Sequence, residues 1–181
     1  MQYRQTRNQK RFAVLASKRA GGGDAIELYD LETQTREAII PYPGRSYFVM
    51  KFNASGDRLL VGADGSIEIG DLSTRRFGEQ MALNRNVRAL ACSSAGVIAS
   101  ITYEGKVELW DEDSGALLME VPAGKPKHYG GDGQKILFSP DGKWLSFYIG
   151  YMLHMVDVSG VGLDTNGEKV LLNVETVTTA E

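Results

Sequence analysis

The sequence predicts an all-β fold made of about four copies of a four-stranded antiparallel sheet. Its apolar segments have the length of single β-strands and are separated by turns rich in glycine, of which the 181-residue chain contains 21. In several segments apolar and polar residues alternate with the period of two that a β-strand requires, and no long stretch has helical spacing. The whole pattern returns about every 40 residues, the length of one four-stranded unit in a repeat protein.

The repeat is marked by an aspartate at the end of the third strand of each copy. These closing aspartates are Asp30, Asp71, Asp111 and Asp157, spaced 41, 40 and 46 residues apart. A period of roughly 40–45 residues is that of one β-propeller blade. The last interval is longer because it contains residues 124–133, whose glycines, lysines and proline predict an enlarged loop.

Each copy follows the same order of strands and turns. The first strand ends in a turn where glycine can adopt a positive φ. These turns are Asn53–Gly56, Ser93–Gly96 and Ser139–Gly142. The second strand leads to a tight hairpin turn. These turns lie at Asp64–Gly65, Glu104–Gly105 and Gly150. In the third strand a single glutamate, Glu68 or Glu108, alternates with apolar residues, which predicts one buried face and one hydrated face.

The closing aspartate has a predicted structural role in every copy. Its carboxylate can accept backbone N–H hydrogen bonds in the turn to the fourth strand, as in Asp71–Thr74 and Asp111–Gly115. We therefore expect these aspartates to stabilise turns and to have no catalytic role.

Two segments resemble a known repeat family. The third copy contains Leu109-Trp110-Asp111 after Glu104-Gly105, and the fourth contains Phe138-Ser139-Pro140-Asp141-Gly142-Lys143. The first segment resembles the WD repeat, and the second is similar to WD repeats and to the Pro-Asp-Gly repeats of bacterial propellers. The resemblance covers residues 12–174. It implies a β-propeller in which Trp110 packs between blades and Asp64 is the turn aspartate of a hydrogen-bonded tetrad. Tyr29, Gly70 and Val156 stand where the other copies would have tryptophan.

The repeat divides the chain into four predicted blades, at residues 12–46, 47–84, 85–123 and 134–174. Residues 1–11 are predicted to be a polar N-terminal arm, so the first blade is expected to be incomplete and to lack its innermost strand. Residues 175–181 form a C-terminal tail whose β-branched residues suit a closing strand.

Three arrangements of these blades remain open, because propellers usually have roughly four to eight blades. The chain is a segment of a longer propeller, or it pairs with another copy or chain to complete a ring. Alternatively, it is a compact four-bladed ring closed by its own C-terminal strand. We favour a partial propeller completed by association, since an open half-ring would expose apolar faces and strand edges.

Composition argues against several classes of protein. The net charge of −3 and the pI of about 5.5 give no basic face for DNA or RNA. The apolar segments are too short to span a membrane as helices. The single cysteine, Cys92, cannot form an internal disulfide, and the N-terminus lacks a signal-peptide core. These features predict a cytoplasmic protein.

No motif predicts catalysis, a cofactor or a metal. Gly21–Gly23 precedes Asp24, whose charge would repel a phosphate, and Gly124-Lys125 is followed by Pro126 where a P-loop needs Ser or Thr. Asp164–Gly167 lacks the remaining ligands of a calcium loop. The two histidines, His128 and His154, have no companion ligands for zinc.

The predicted function is a noncatalytic protein–protein interaction scaffold. The candidate partner-binding residues lie in the enlarged loop, because long insertions on a rigid repeat frame commonly carry function. They are Lys125, Lys127, His128 and Tyr129, and further aromatic candidates are Trp144, Tyr148 and Tyr151. The partner is expected to be a protein, including a second copy of the chain that completes a ring. The alternative is an accessory or sensor propeller of a larger enzyme, such as a peptidase, kinase or nuclease. An assembly subunit with fixed stoichiometry is a third possibility.

Overall fold

The structure is a computed structural model that describes residues 3–7, 10–16, 24–42, 47–82, 86–121, 135–149, 152–163, 169–171 and 176–179. These residues form β-strands and turns, and no helix occurs among them. The strands make four sheets of four strands each, together with one two-stranded hairpin, and every pair of neighbouring strands is antiparallel. The prediction of an all-β fold of four-stranded antiparallel sheets is therefore confirmed.

Sheet 1 is a meander of four strands in chain order. Its strands are β1 (Tyr3–Arg7), β2 (Arg11–Ala16), β3 (Ala25–Asp30) and β4 (Arg36–Pro41). Here the prediction of a polar arm over residues 1–11 needs correction, because β1 pairs with β2 from Tyr3 opposite Ala16 to Arg7 opposite Phe12. An edge strand is held by backbone hydrogen bonds, which a polar segment provides as well as an apolar one. The first copy thus has all four strands.

Sheets 2 and 3 repeat the same meander. Sheet 2 consists of β5 (Tyr47–Phe52), β6 (Arg58–Ala63), β7 (Ser66–Asp71) and β8 (Arg76–Ala82). Sheet 3 consists of β9 (Val87–Cys92), β10 (Val97–Thr102), β11 (Val107–Asp111) and β12 (Leu117–Val121). In both sheets the third strand ends on the closing aspartate, as the spacing of the repeat predicts.

Sheet 4 draws its fourth strand from the predicted C-terminal tail. Its first three strands are β13 (Ile136–Phe138), β14 (Trp144–Ile149) and β15 (Met152–Asp157). A hairpin of β16 (Val161–Leu163) and β17 (Lys169–Leu171) follows, and β18 (Thr176–Thr179) then pairs with β15. The tail therefore completes its own sheet, and closure of a ring by the tail stays a prediction.

The chain divides into two compact units, residues 1–86 and 87–181. Each unit has a hydrophobic core between its two four-stranded sheets. The core of the first unit comprises Ala13, Leu15, Ile26, Leu28, Ala38, Ile40 and Tyr42 from sheet 1 and its end, and Met50, Phe52, Leu59, Val61 and Leu72 from sheet 2. The core of the second unit includes Ala89, Ala91, Ala99, Ile101, Val107 and Leu109 from sheet 3, and Ile136, Leu145, Phe147, Ile149 and Val156 from sheet 4.

The prediction of a hydrated face on the third strands is wrong at two positions. Glu68 and Glu108 are only 6% and 8% exposed. For Glu68 the reason is visible in the first unit, because this residue lies opposite Val61 in the ladder. Residues opposite each other in a ladder point to the same face, and Val61 belongs to the core shared with sheet 1. The third strand of sheet 2 is thus covered on the side where its sequence is polar.

Candidate interaction surface

Sheet 4 has an exposed apolar face. Leu137, Trp144, Tyr148 and Met155 are between 37% and 58% exposed. Leu137 and Met155 both lie opposite Ser146 in the ladders on either side of β14, and Trp144 and Tyr148 alternate with Ser146 along that strand. All five side chains therefore lie on one side of the sheet. We call this side the open face of sheet 4.

The sequence of β14 explains how this face arises. Leu145, Phe147 and Ile149 alternate with Trp144, Ser146 and Tyr148, and the burial of the strand alternates in step. A strand exposed to water on one side normally carries polar residues there, whereas a strand apolar on both sides is typical of a sheet covered on both faces. Large exposed apolar patches mark sites of association. The open face therefore has the composition of an interface.

The buried side of sheet 4 anchors the open face to the core of the second unit. The ring of Phe147 stacks on the imidazole of His154 with 5.1 Å between centroids and an interplanar angle of 9°. Both side chains are buried beside Leu145 and Ile149. Burial lowers the pKa of His154 from its ordinary value of 6.5, because a charged imidazole would lose its hydration. A neutral, stacked imidazole thus supports the open face from behind.

A hydrogen-bonded turn fixes the start of β14. The Ser139 hydroxyl oxygen accepts the backbone N–H of Trp144 at 2.9 Å, and its O–H donates to the Asp141 carboxylate at 2.5 Å. The same carboxylate accepts the backbone N–H of Lys143 at 3.1 Å. These bonds hold the pKa of Asp141 below its usual value, with the Ser139 bond as the largest cause. Because the turn is braced, the backbone of Trp144 is held in place at one end of the open face.

The closing aspartates lie at the turns that follow the third strands, and each accepts backbone N–H hydrogen bonds there. Asp30 accepts from Glu32 and Thr33, Asp71 from Ser73 and Thr74, Asp111 from Ser114, and Asp157 from Ser159, all between 2.7 and 2.9 Å. Hydrogen bonds to the charged form lower the pKa of a carboxyl group, and they do so for Asp30, Asp71 and Asp157. These aspartates stabilise turns at one end of the sheets.

Trp110 and Asp64 contribute no surface to the open face. Trp110 is buried, and its indole N–H donates to the Ser100 hydroxyl at 3.1 Å within sheet 3. Asp64 is an exposed residue of the hairpin turn in sheet 2, next to Gly65 with φ of 85°. Since a positive φ favours glycine, this turn is the tight hairpin that the sequence predicts.

The predicted partner-binding loop lies outside the described residues. This applies to Lys125, Lys127, His128 and Tyr129, and also to Tyr151, so their role stays a prediction. Sequence reasoning singled out Trp144 and Tyr148 but missed Leu137 and Met155. The pattern of β14 contains the signal, because large residues at alternate positions of a strand whose other side is also apolar indicate a second apolar face.

The described residues contain no group of three or more His, Cys, Asp or Glu side chains placed to hold a metal ion. Among the same residues, no helix is long and apolar enough to cross a membrane. Comparison of the chain with models of known protein families and with curated proteins finds no match. The open face of sheet 4 is therefore the candidate functional site on its geometry alone.

Proposed function

We propose that this chain is a noncatalytic protein-interaction scaffold that binds its partner through the open face of sheet 4. The observation that carries the proposal is the set of four large apolar side chains, Leu137, Trp144, Tyr148 and Met155, exposed together on one sheet face. Aromatic residues and methionine are enriched at protein interfaces, and tryptophan and tyrosine dominate the binding energy of many of them.

The composition of this face favours a protein as the partner. It combines large apolar side chains with one small hydroxyl, that of Ser146, and it is the side of a sheet. Small-molecule sites are concave and enclose most of their ligand, while nucleic-acid sites need a basic patch. The chain has a net charge of −3. A complementary apolar protein surface suits these properties best.

The proposed frame of the scaffold is a set of WD-like propeller blades in the cytoplasm. Four-stranded antiparallel meanders with a common turn chemistry support it, as does the hydrogen bond between Trp110 and Ser100 in sheet 3. Blades of this kind present a rigid surface, so binding costs little conformational entropy in the scaffold.

Site-specific photo-cross-linking tests the function. A benzophenone amino acid at Tyr148 is expected to form covalent adducts with protein when the chain is illuminated in its own cells. The control is the same amino acid at Tyr103, an exposed tyrosine in the β10–β11 hairpin of the same unit. Adding Leu137→Asp should abolish the adduct at position 148. Absence of any protein adduct at position 148, or equal adducts at positions 103 and 148, would contradict the proposal.

A further inference from the structure

Both units pack their sheets by the same rule. In the first unit, Ile26 and Leu28 lie four and two residues before the closing Asp30, and they belong to the core shared with sheet 2. In the second unit, Val107 and Leu109 lie four and two residues before the closing aspartate of β11, and they belong to the core shared with sheet 4. We call the side of a sheet that carries these positions its even face.

The second sheet of each unit uses its other side. Val156, one residue before the closing aspartate of sheet 4, lies in the core opposite Leu145. In sheet 2, Leu59 and Val61 lie in the core opposite Gly70 and Glu68, one and three residues before the closing aspartate. We call this side the odd face. In both units, therefore, the even face of the earlier sheet packs on the odd face of the later sheet.

Sheet 4 and sheet 1 each carry exposed apolar side chains on the face that does not pack within its own unit. The open face of sheet 4 is an even face, because Met155 lies two residues before Asp157. The other is the odd face of sheet 1, which carries Glu27 and Tyr29. Opposite them in the ladders lie Phe12, Val14, Arg36 and Ile39. Ile39 is 47% exposed and Arg36 is also exposed, whereas Phe12, Val14, Glu27 and Tyr29 are partly exposed.

At the repeated glutamate position, sheet 1 is more exposed than sheets 2 and 3. Glu68 and Glu108 stand three residues before their closing aspartates and are buried, whereas the side chain of Glu27 at the same position is 26% exposed. Opposite this position, sheets 2 and 3 have Gln80 and Glu120, and sheet 1 has the apolar Ile39. An apolar residue exposed where the repeat is otherwise polar favours a contact at this face.

We propose that the open face of sheet 4 binds the odd face of sheet 1 in a second copy of this chain. This inference rests on the proposed function, because it names the partner of the same face. The contact repeats the packing already present within each unit. A head-to-tail contact between two copies can use both faces of each copy when the assembly closes.

The two faces are chemically complementary. Leu137, Trp144 and Met155 on one side can pack on Ile39 and its apolar neighbours on the other. Glu27 accepts a hydrogen bond from the Tyr29 hydroxyl at 2.5 Å, and its carboxylate is 3.8 Å from the Arg36 guanidinium. A carboxylate that loses water on docking needs further donors, and the open face supplies the exposed hydroxyl of Tyr148.

Complementation between two single variants of the full chain tests the inference. Leu137→Asp damages only the open face of sheet 4, and Ile39→Asp damages only the odd face of sheet 1. Native mass spectrometry and light scattering should show the unchanged chain at twice its 19.8 kDa mass. Each variant alone should dissociate, with a dissociation constant raised at least about tenfold. An equimolar mixture should recover a mixed dimer, because it contains one undamaged pair of faces.

A third variant serves as the matched control. Leu31→Asp adds the same charge at a leucine that is 41% exposed in the β3–β4 turn and belongs to neither face, and it should dimerise as the unchanged chain does. A monomeric unchanged chain would overturn the inference. So would a dimer that survives either single variant, or a mixture that fails to recover. If Tyr148 still cross-links to a different protein, the proposed function stands while this inference fails.

Discussion

Sheets 2 and 3 differ in which strand carries the large side chain next to the closing aspartate. One residue before the closing aspartate, sheet 2 has Gly70 and sheet 3 has Trp110. The fourth strand reverses the order, since Phe77 pairs with Gly70 and Leu117 pairs with Trp110. A small residue on the third strand is thus matched by an aromatic ring on the fourth, and a large residue is matched by an aliphatic one.

The geometry of sheet 2 shows why its position must be glycine. A Cβ atom on Gly70 would lie 2.7 Å from Cζ of Phe77. That ring also makes an edge contact with Tyr42, with 5.3 Å between the centroids. In sheet 3 the space is filled by the indole of Trp110, whose N–H donates to Ser100. In sheet 2 the ring of Phe77 therefore lies over the glycine, at the position where sheet 3 has the indole of Trp110.

The largest expected effect comes from placing a tryptophan at the glycine position of sheet 2. Gly70→Trp should lower the free energy of unfolding by about 3 kcal/mol, because the new side chain overlaps the ring of Phe77. Adding Phe77→Leu, which reproduces the pair of sheet 3, should recover most of this loss. Urea unfolding of the two single variants and the double variant measures the coupling.

Gly78 provides the matched control for this cycle. It lies on β8 beside Phe77, and a Cβ atom there would meet nothing within 4 Å. Gly78→Ala should leave the free energy of unfolding nearly unchanged. If the effects of Gly70→Trp and Phe77→Leu simply add, the two strands do not exchange their side chains as described.

A smaller effect is expected from the hydrogen bond in sheet 3. Ser100→Ala leaves the buried indole N–H of Trp110 without its acceptor and should cost about 1–2 kcal/mol. In a Trp110→Phe background the same substitution should cost almost nothing, because the donor is gone. An equal cost in both backgrounds, measured by urea unfolding, would show that the hydroxyl acts through something other than the indole.

In sheet 4 a histidine at the equivalent position makes the stability of the fold depend on pH. His154 occupies the position of Glu68 and Glu108, and burial lowers its pKa from 6.5. Below about pH 6.5 the unfolded chain binds a proton that the folded chain resists, so stability falls as the pH drops toward the folded pKa. Above that pH the imidazole is neutral in both the folded and the unfolded chain, so His154 does not change the slope of stability against pH. His154→Gln should flatten this part of the profile measured by urea unfolding, and an unchanged slope would contradict the assignment.

The smallest effect is expected four residues after the closing aspartates. Arg75 in sheet 2 and Gly115 in sheet 3 both have a positive φ, of 57° and 68°. Because this conformation strains residues with a Cβ atom, Arg75→Gly should raise the free energy of unfolding by about 0.5–1 kcal/mol. Gly115→Arg should lower it by about 1 kcal/mol. If thermal unfolding shows that both substitutions change the stability in the same direction, the two turns are not equivalent.

Much of the fold follows from local sequence. The closing aspartates and the turn glycines locate most of the strands because their roles depend on a few neighbouring residues. The sequence does not predict β1, because its polar residues show no alternation of apolar and polar side chains. This edge strand forms through backbone hydrogen bonds, which do not depend on such a pattern. The sequence also does not predict the burial of Glu68, because burial depends on which neighbouring sheet covers that face.

The candidate site could be predicted only in part. Trp144 and Tyr148 stand out as aromatic residues, but Leu137 and Met155 join them only through the register of β13 and β15 against β14. The role of Gly70 likewise depends on its pairing with Phe77, seven residues along the chain and on the next strand. Register is a property of the folded sheet, and sequence spacing alone does not determine it.

The central claim, that the open face of sheet 4 binds the odd face of sheet 1 in a second copy, is tested most directly by mapping one cross-link. The chain carrying a benzophenone at Tyr148 is mixed in unlabelled and ¹⁵N-labelled forms, illuminated and digested. The account predicts adducts to peptides containing Phe12, Val14 or Ile39, with both isotope compositions in one cross-linked pair. Adducts confined to a single isotope, or adducts that map to sheet 4 itself, would contradict it.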